Sequence, residues 1–136
     1  MAAPASSGIR YLGLTVSDAR RSADWYKRVL DYEEIKRIRL PDGWLQEVQL
    51  HHRPSDTTIG LIQHKGPPAA RFDERRAGLD HFEINVPTGE ALEAWVVRLD
   101  DLGIPHSALE DRPSSRLVVF RDPDNIQIEL YWRKNG

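Results

Sequence analysis

The sequence predicts an α+β fold built from two tandem βαβββ units. Three observations predict it: an alternating strand pattern that returns seventy positions later, an amphipathic helix with a start signal after each copy, and three strand-like stretches after each helix. Residues 11–16 place Leu12, Leu14 and Val16 at alternate positions, the mark of a strand with one face on a core. Ser17-Asp18 supplies a helix start, and Ala23, Tyr26, Val29 and Leu30 recur at three- and four-residue spacing. Strands are expected at about residues 33–39, 44–51 and 58–64, with turns at Pro41-Asp42-Gly43 and residues 53–56. The second copy opens at residues 81–86, where Phe82, Ile84 and Val86 alternate. Thr88-Gly89-Glu90 starts its helix, Leu92, Val96, Leu99 and Leu102 mark the apolar face, and Gly103 sits where a C-terminal glycine belongs. Strands are expected at residues 107–110, 116–121 and 126–132, with a tight turn at residues 122–125.

The repeat extends into single positions. Trp25 matches Trp95, Arg28 matches Arg98, and Ile59-Gly60-Leu61 matches Ile128-Glu129-Leu130. Both tryptophans are read as core residues beneath their sheets. The expected boundaries are a tail at 1–8, a first unit at 9–65, a linker at 66–78, a second unit at 79–132 and a tail at 133–136, all within one structural domain.

Composition bounds the function. The 136 residues are 40% hydrophobic and 29% charged, with a net charge of −2. With no cysteine, disulfides, thiolate chemistry and Cys-rich zinc sites are excluded, and a cytoplasmic setting is expected. No basic stripe points to nucleic acid, since Asp73 and Glu74 offset Arg71, Arg75 and Arg76. No apolar run is long enough for a membrane helix, and the first residues lack a secretory pattern.

Alternation sends a second set of side chains to the face opposite the helices. It holds Tyr11, Gly13 and Thr15, then Thr58, Gly60, Ile62 and His64, then His81, Glu83 and Asn85, then Gln127, Glu129 and Tyr131. A histidine and a glutamate there suit one divalent ion, Mn, Fe, Ni, Co or Zn. Equally, His81 and Glu129 serve as mutual hydrogen-bond partners in a wet pocket. Glu83, two residues from His81, is a candidate general base or a solvated charge. Tyr11 reads as a ligand-binding wall or hydrogen-bond donor, and Gly60 as space for a ligand or as a point of bulging or close packing. Ile62, His64, Tyr131 and Trp132 are candidate ligand-binding neighbours suited to an aromatic molecule, with Trp44 as a further aromatic wall, although Trp44 and Trp132, at strand ends, equally suit dimer or edge packing. The facing of Leu45, Glu47 and Gln49 is ambiguous; if they point inward, His51 follows, and otherwise His51 and His52 are solvated turn residues.

Three stretches carry a resemblance. They are Leu14-Thr-Val-Ser-Asp18 with Trp25-Tyr26 and Val29-Leu30, then Gly78-Leu-Asp-His-Phe-Glu-Ile-Asn-Val86, then Phe120-Arg-Asp-Pro-Asp-Asn-Ile-Gln-Ile-Glu-Leu130. In this order they resemble the vicinal oxygen chelate superfamily, which unites glyoxalases, bleomycin-resistance proteins and dioxygenases. The resemblance implies an open, eight-stranded barrel-like cleft, a homodimer, and metal ligands drawn from the first, fourth, fifth and eighth strands. By position those ligands are His81 on the fifth strand and Glu129 on the eighth. The first-strand position, usually histidine or glutamine, is Tyr11, and the fourth-strand position, glutamate in glyoxalases, is Gly60. The metal site is thus expected to be incomplete, and a glyoxalase reaction is not expected. The resemblance implies a small-molecule-binding protein for an aromatic or natural-product ligand, of the kind used in antibiotic resistance. The alternative is a divalent-metal-dependent lyase, isomerase, dioxygenase or thiol transferase that uses His81, Glu129 and a third group. A structural or regulatory homodimer without such chemistry is a further reading.

Overall fold

A computed structural model describes residues 1–67 and 70–135. Pro68 and Ala69, inside the expected linker, and Gly136 lie outside the described residues. The chain divides into two compact units, Met1–Ala69 and Ala70–Gly136.

In the first unit the order is β1 (Tyr11–Thr15), α1 (Ala19–Leu30), β2 (Glu33–Arg39), β3 (Leu45–His52) and β4 (Thr57–Ile62), with a single 3-10 turn at Arg53–Ser55 before β4. The sheet order is β1-β4-β3-β2, with β1 and β4 parallel and the other neighbours antiparallel. Asp18 caps α1 by accepting from the Arg21 amide at 3.0 Å. The Ala19 amide donates to Gln63 Oε1 at 2.8 Å, which ties the helix start to the end of β4. Tyr26, Val29 and Leu30 of α1 are buried, as are Val48, Leu50, Ile59 and Leu61 of the sheet it covers. That settles β3: Val48 and Leu50 take the helix side, so alternation sends Glu47 and Gln49 to the other. β2 forms one border of the sheet, exposed along nearly its whole length and slipped in register at two places.

The second unit repeats the plan: β5 (Phe82–Asn85), α2 (Gly89–Asp101), β6 (Glu110–Asp111), β7 (Ser115–Arg121) and β8 (Gln127–Arg133). Its sheet order is β5-β8-β7-β6, again with the first pair parallel. Thr88 caps α2 through the Ala91 amide at 3.0 Å, and Gly103 takes a φ of +68° just past the helix. Leu92 and Leu99 of α2 are buried, as are Val118, Phe120, Ile128 and Leu130, which share one face of the sheet. The turn before β8 is fixed by buried Asp122, whose Oδ1 accepts from the Asp124 and Ile126 amides at 2.8 and 2.9 Å. Among the described residues, no helix is long and apolar enough to cross a membrane.

Three expectations need correction. Trp25 and Trp95 are only half-buried. In α1 the fully buried aromatic is Tyr26, with Trp25 edge-on to it at 4.9 Å between ring centres. β4 ends at Ile62, so strand alternation does not extend to His64. The sixth strand starts at Glu110 rather than residue 107, because the Ser107 hydroxyl takes the Val119 amide at 2.9 Å and replaces a ladder bond.

Candidate metal centre

The second unit brings three ligand-type side chains together. β5 and β8 run in parallel with Glu83 opposite Glu129, and His81 stands one residue before β5. His81 Nε2 lies 3.3 Å from Glu83 Oε1 and 3.7 Å from Glu129 Oε2. One ligand atom from each of the three falls within 4.8 Å of the others. His81 and Glu129 are half-buried, while Glu83 is exposed.

The other imidazole nitrogen is already committed. His81 Nδ1 stands 2.6 Å from Asp80 Oδ1, and Gln127 Nε2 donates to that same oxygen at 3.3 Å. A carboxylate acceptor fixes the proton on Nδ1 and leaves Nε2 as the atom facing the two glutamates. The Asp80 bond raises the His81 pKa above its ordinary value against the opposing effect of burial, and Glu83 and Glu129 add to the rise. Burial raises the Glu129 pKa; His81 opposes this and the nearby Glu83 carboxylate reinforces it. An imidazole Nε2 beside two crowded carboxylates is a donor set that a divalent cation satisfies in both charge and ligand type, the ion taking the place of any proton on Nε2. The residues therefore fit a metal.

In the first unit, Tyr11 donates a hydrogen bond to Glu47 Oε1. Gln49 Nε2 donates to the same oxygen at 3.1 Å. Burial first, then the Glu47 bond, push the Tyr11 pKa up to about 12, so the phenol keeps its proton. Gly60 is not open space: a Cβ there would stand 1.6 Å from the Tyr11 hydroxyl and 2.4 Å from Glu47 Oε1. Ile62 reaches the same face, since its Cδ1 lies 3.2 Å from a Cβ built on Gly13.

The remaining sequence candidates divide. Tyr131 alternates with Glu129 and stays half-exposed on its side of β8. Trp132 takes the opposite side, where its ring rests against Gly89 at the start of α2, 3.0 Å from a Cβ built there. It supports the helix instead of standing beside Glu129. Trp44 donates its indole N–H to the Gln63 carbonyl at 2.8 Å. His51 pairs with Asp56 at 2.9 Å in the turn after β3. Sequence reasoning missed Asp80, because it precedes β5 and alternation assigns no facing there. Its one signal is its place directly before His81.

Comparison with known proteins adds the following. The family model described as Glyoxalase/Bleomycin resistance protein/Dioxygenase superfamily matches residues 8–130. The chain is 22% identical over 131 residues to the putative ring-cleaving dioxygenase MhqA of Bacillus subtilis (strain 168), covering 96% of this chain and 42% of that protein. It is 29% identical over 126 residues to catechol-2,3-dioxygenase of the same organism, covering 90% of this chain and 40% of that protein. The chain thus spans about two fifths of the length of these curated relatives. Among solved structures, a glyoxylase/bleomycin resistance protein/dioxygenase domain from Frankia sp. EAN1pec superposes with a TM-score of 0.85 at 30% identity, covering 97% of this chain and 96% of that one. A variant of the fosfomycin resistance protein FosX from Listeria monocytogenes, complexed with Mn(II) and a dihydroxypropylphosphonic acid, gives a TM-score of 0.71 at 18% identity, with 97% and 95% covered. That second likeness is one of fold.

Proposed function

Because this chain belongs to the Glyoxalase/Bleomycin resistance protein/Dioxygenase superfamily, we propose that it is a divalent-metal-dependent enzyme acting on a small molecule through two adjacent oxygen atoms. His81, Glu83 and Glu129 are the ligands in this reading. The observation that carries it is the convergence of their three ligand atoms within 4.8 Å. Glu83, a candidate base by sequence, is assigned with the ligands because it approaches His81 Nε2 as closely as Glu129 does. When bound, the ion supplies Lewis acidity to the substrate oxygens. Asp80 holds the imidazole turned toward the glutamates, and Gln127 holds Asp80. The names of the curated relatives, a putative ring-cleaving dioxygenase and a catechol-2,3-dioxygenase, support a catechol-like substrate class.

Elemental analysis of protein reconstituted with Mn, Fe, Ni, Co or Zn tests the reading. One equivalent per chain is expected, lost in His81→Ala and reduced in Glu83→Gln and Glu129→Gln. No stoichiometric metal, or full retention in His81→Ala, overturns it.

A second reading is a metal-independent binding protein for an aromatic or natural-product ligand. The first unit favours it, since Tyr11 stays protonated and Gly60 has no side chain to donate. Ligand affinity unchanged by chelator selects this reading over the first. A homodimer accompanies either reading, and light scattering on the same sample reads it out.

A further inference from the structure

The first unit holds a polar group that the proposed metal centre does not use. Gly13 and Gly60 are direct partners in the β1–β4 register, so two adjacent positions of the sheet lack side chains. The Tyr11 ring lies along this gap, 3.1 Å from a Cβ built on Gly13 and in collision with one built on Gly60. Glu47 enters from β3, and Tyr11 and Gln49 both donate to its Oε1. Glu47 Oε2 has no hydrogen-bond or ion-pair partner among the described residues. The carboxylate is half-buried, and no cation of the described residues lies within ion-pair distance of it. A partly dehydrated carboxylate gains from a positive partner. The neighbouring ring already takes a cation: the Arg10 guanidinium carbon stands 5.8 Å from its centre.

We propose that Tyr11, Glu47 and Gln49 form a binding site for an organic ammonium group. Glu47 Oε2 accepts the ammonium N–H, Gln49 and the Tyr11 hydroxyl fix the carboxylate, and the Tyr11 ring flanks the charge. The Gly13–Gly60 gap is the cradle that permits this arrangement. The site stands independently of the metal reading, since it uses no metal ligand.

Benzylamine, protonated at neutral pH, is titrated into the full chain while the backbone amide signals of Gly13 and Gly60 are followed. Benzyl alcohol serves as its neutral match. Saturable shifts are expected with benzylamine, and binding about tenfold weaker with benzyl alcohol, the ratio of one charge-assisted hydrogen bond to a neutral one. Glu47→Gln, which still offers Tyr11 an acceptor, is expected to weaken amine binding about tenfold by the same reasoning. Gly60→Ala, whose methyl group displaces both side chains, is expected to abolish it. The absence of saturable shifts, equal binding of the alcohol, or amine binding undiminished in either variant overturns the proposal.

Discussion

Tyr11 donates to Glu47, and burial and that carboxylate partner both oppose ionisation of the phenol. Tyr11→Phe removes one hydrogen bond to a charged acceptor and is expected to cost about 1–2 kcal/mol, measured by urea unfolding. No measurable loss would mean that solvent replaces the bond without cost. Asp80 acts one step back from the proposed metal ligands, through its bond to His81 Nδ1. Asp80→Asn is expected to weaken metal affinity by about 10–100-fold in a competition titration, as loss of an orienting carboxylate does elsewhere. Unchanged affinity would remove its positioning role. At this scale the sequence was partly legible. Period-two alternation placed His81, Glu83 and Glu129 on one side because they lie on or beside regular strands. It failed for His64, beyond the end of β4, and for Asp80, before the start of β5. Trp132 shows a different limit: its place at a strand end suggested a ligand wall, but its even position on β8 directs it to the helix side against Gly89.

The elements were legible wherever capping and periodicity agreed. Asp18 and Thr88 cap their helices as the start signals indicated. The sixth strand is shorter because one serine hydroxyl substitutes for a backbone group, which no periodicity records. The first residues of the second unit, ahead of β5, are also held by particular side chains. Arg121 donates to both Glu74 carboxylate oxygens at 2.9 and 2.8 Å, and Asn125 Nδ2 donates to the Phe72 carbonyl at 3.1 Å. The Arg121 bond lowers the Glu74 pKa from 4.5 to about 2. A depressed carboxylate pKa contributes stability above the unfolded value and loses it as pH falls toward the folded one. The attachment of residues 72–74 is therefore expected to weaken between about pH 4.5 and pH 2. Protection factors of the Asn125 and Glu74 amides, taken relative to the intrinsic exchange rate at each pH, should fall across that window; the same loss in Arg121→Ala already at pH 7 would confirm the partner, and protection factors unchanged down to pH 2 would exclude it.

Across the whole molecule the repeat is physical as well as textual. Ile59 and Ile128 occupy matched positions on β4 and β8, and both are fully buried. Ile59→Ala and Ile128→Ala are each expected to destabilise by about 2–4 kcal/mol, because both leave a cavity under a helix-covered sheet. Denaturant unfolding measures the pair, and a small loss in one alone would show that the two cores are not equivalent. The duplication was legible because each unit must bury one helix stripe against one sheet face, and that demand writes the same periods twice. The border strand β2 carries a further consequence. A bare strand edge invites a stranger's backbone to dock and begin a fibril. Here Glu33, Glu34, Lys36, Arg37 and Arg39 crowd an almost wholly exposed ribbon whose pairing slips twice. A newcomer would meet two acids, then three bases, and a broken rail of amides, so this rim resists self-templated growth even when the chain is concentrated.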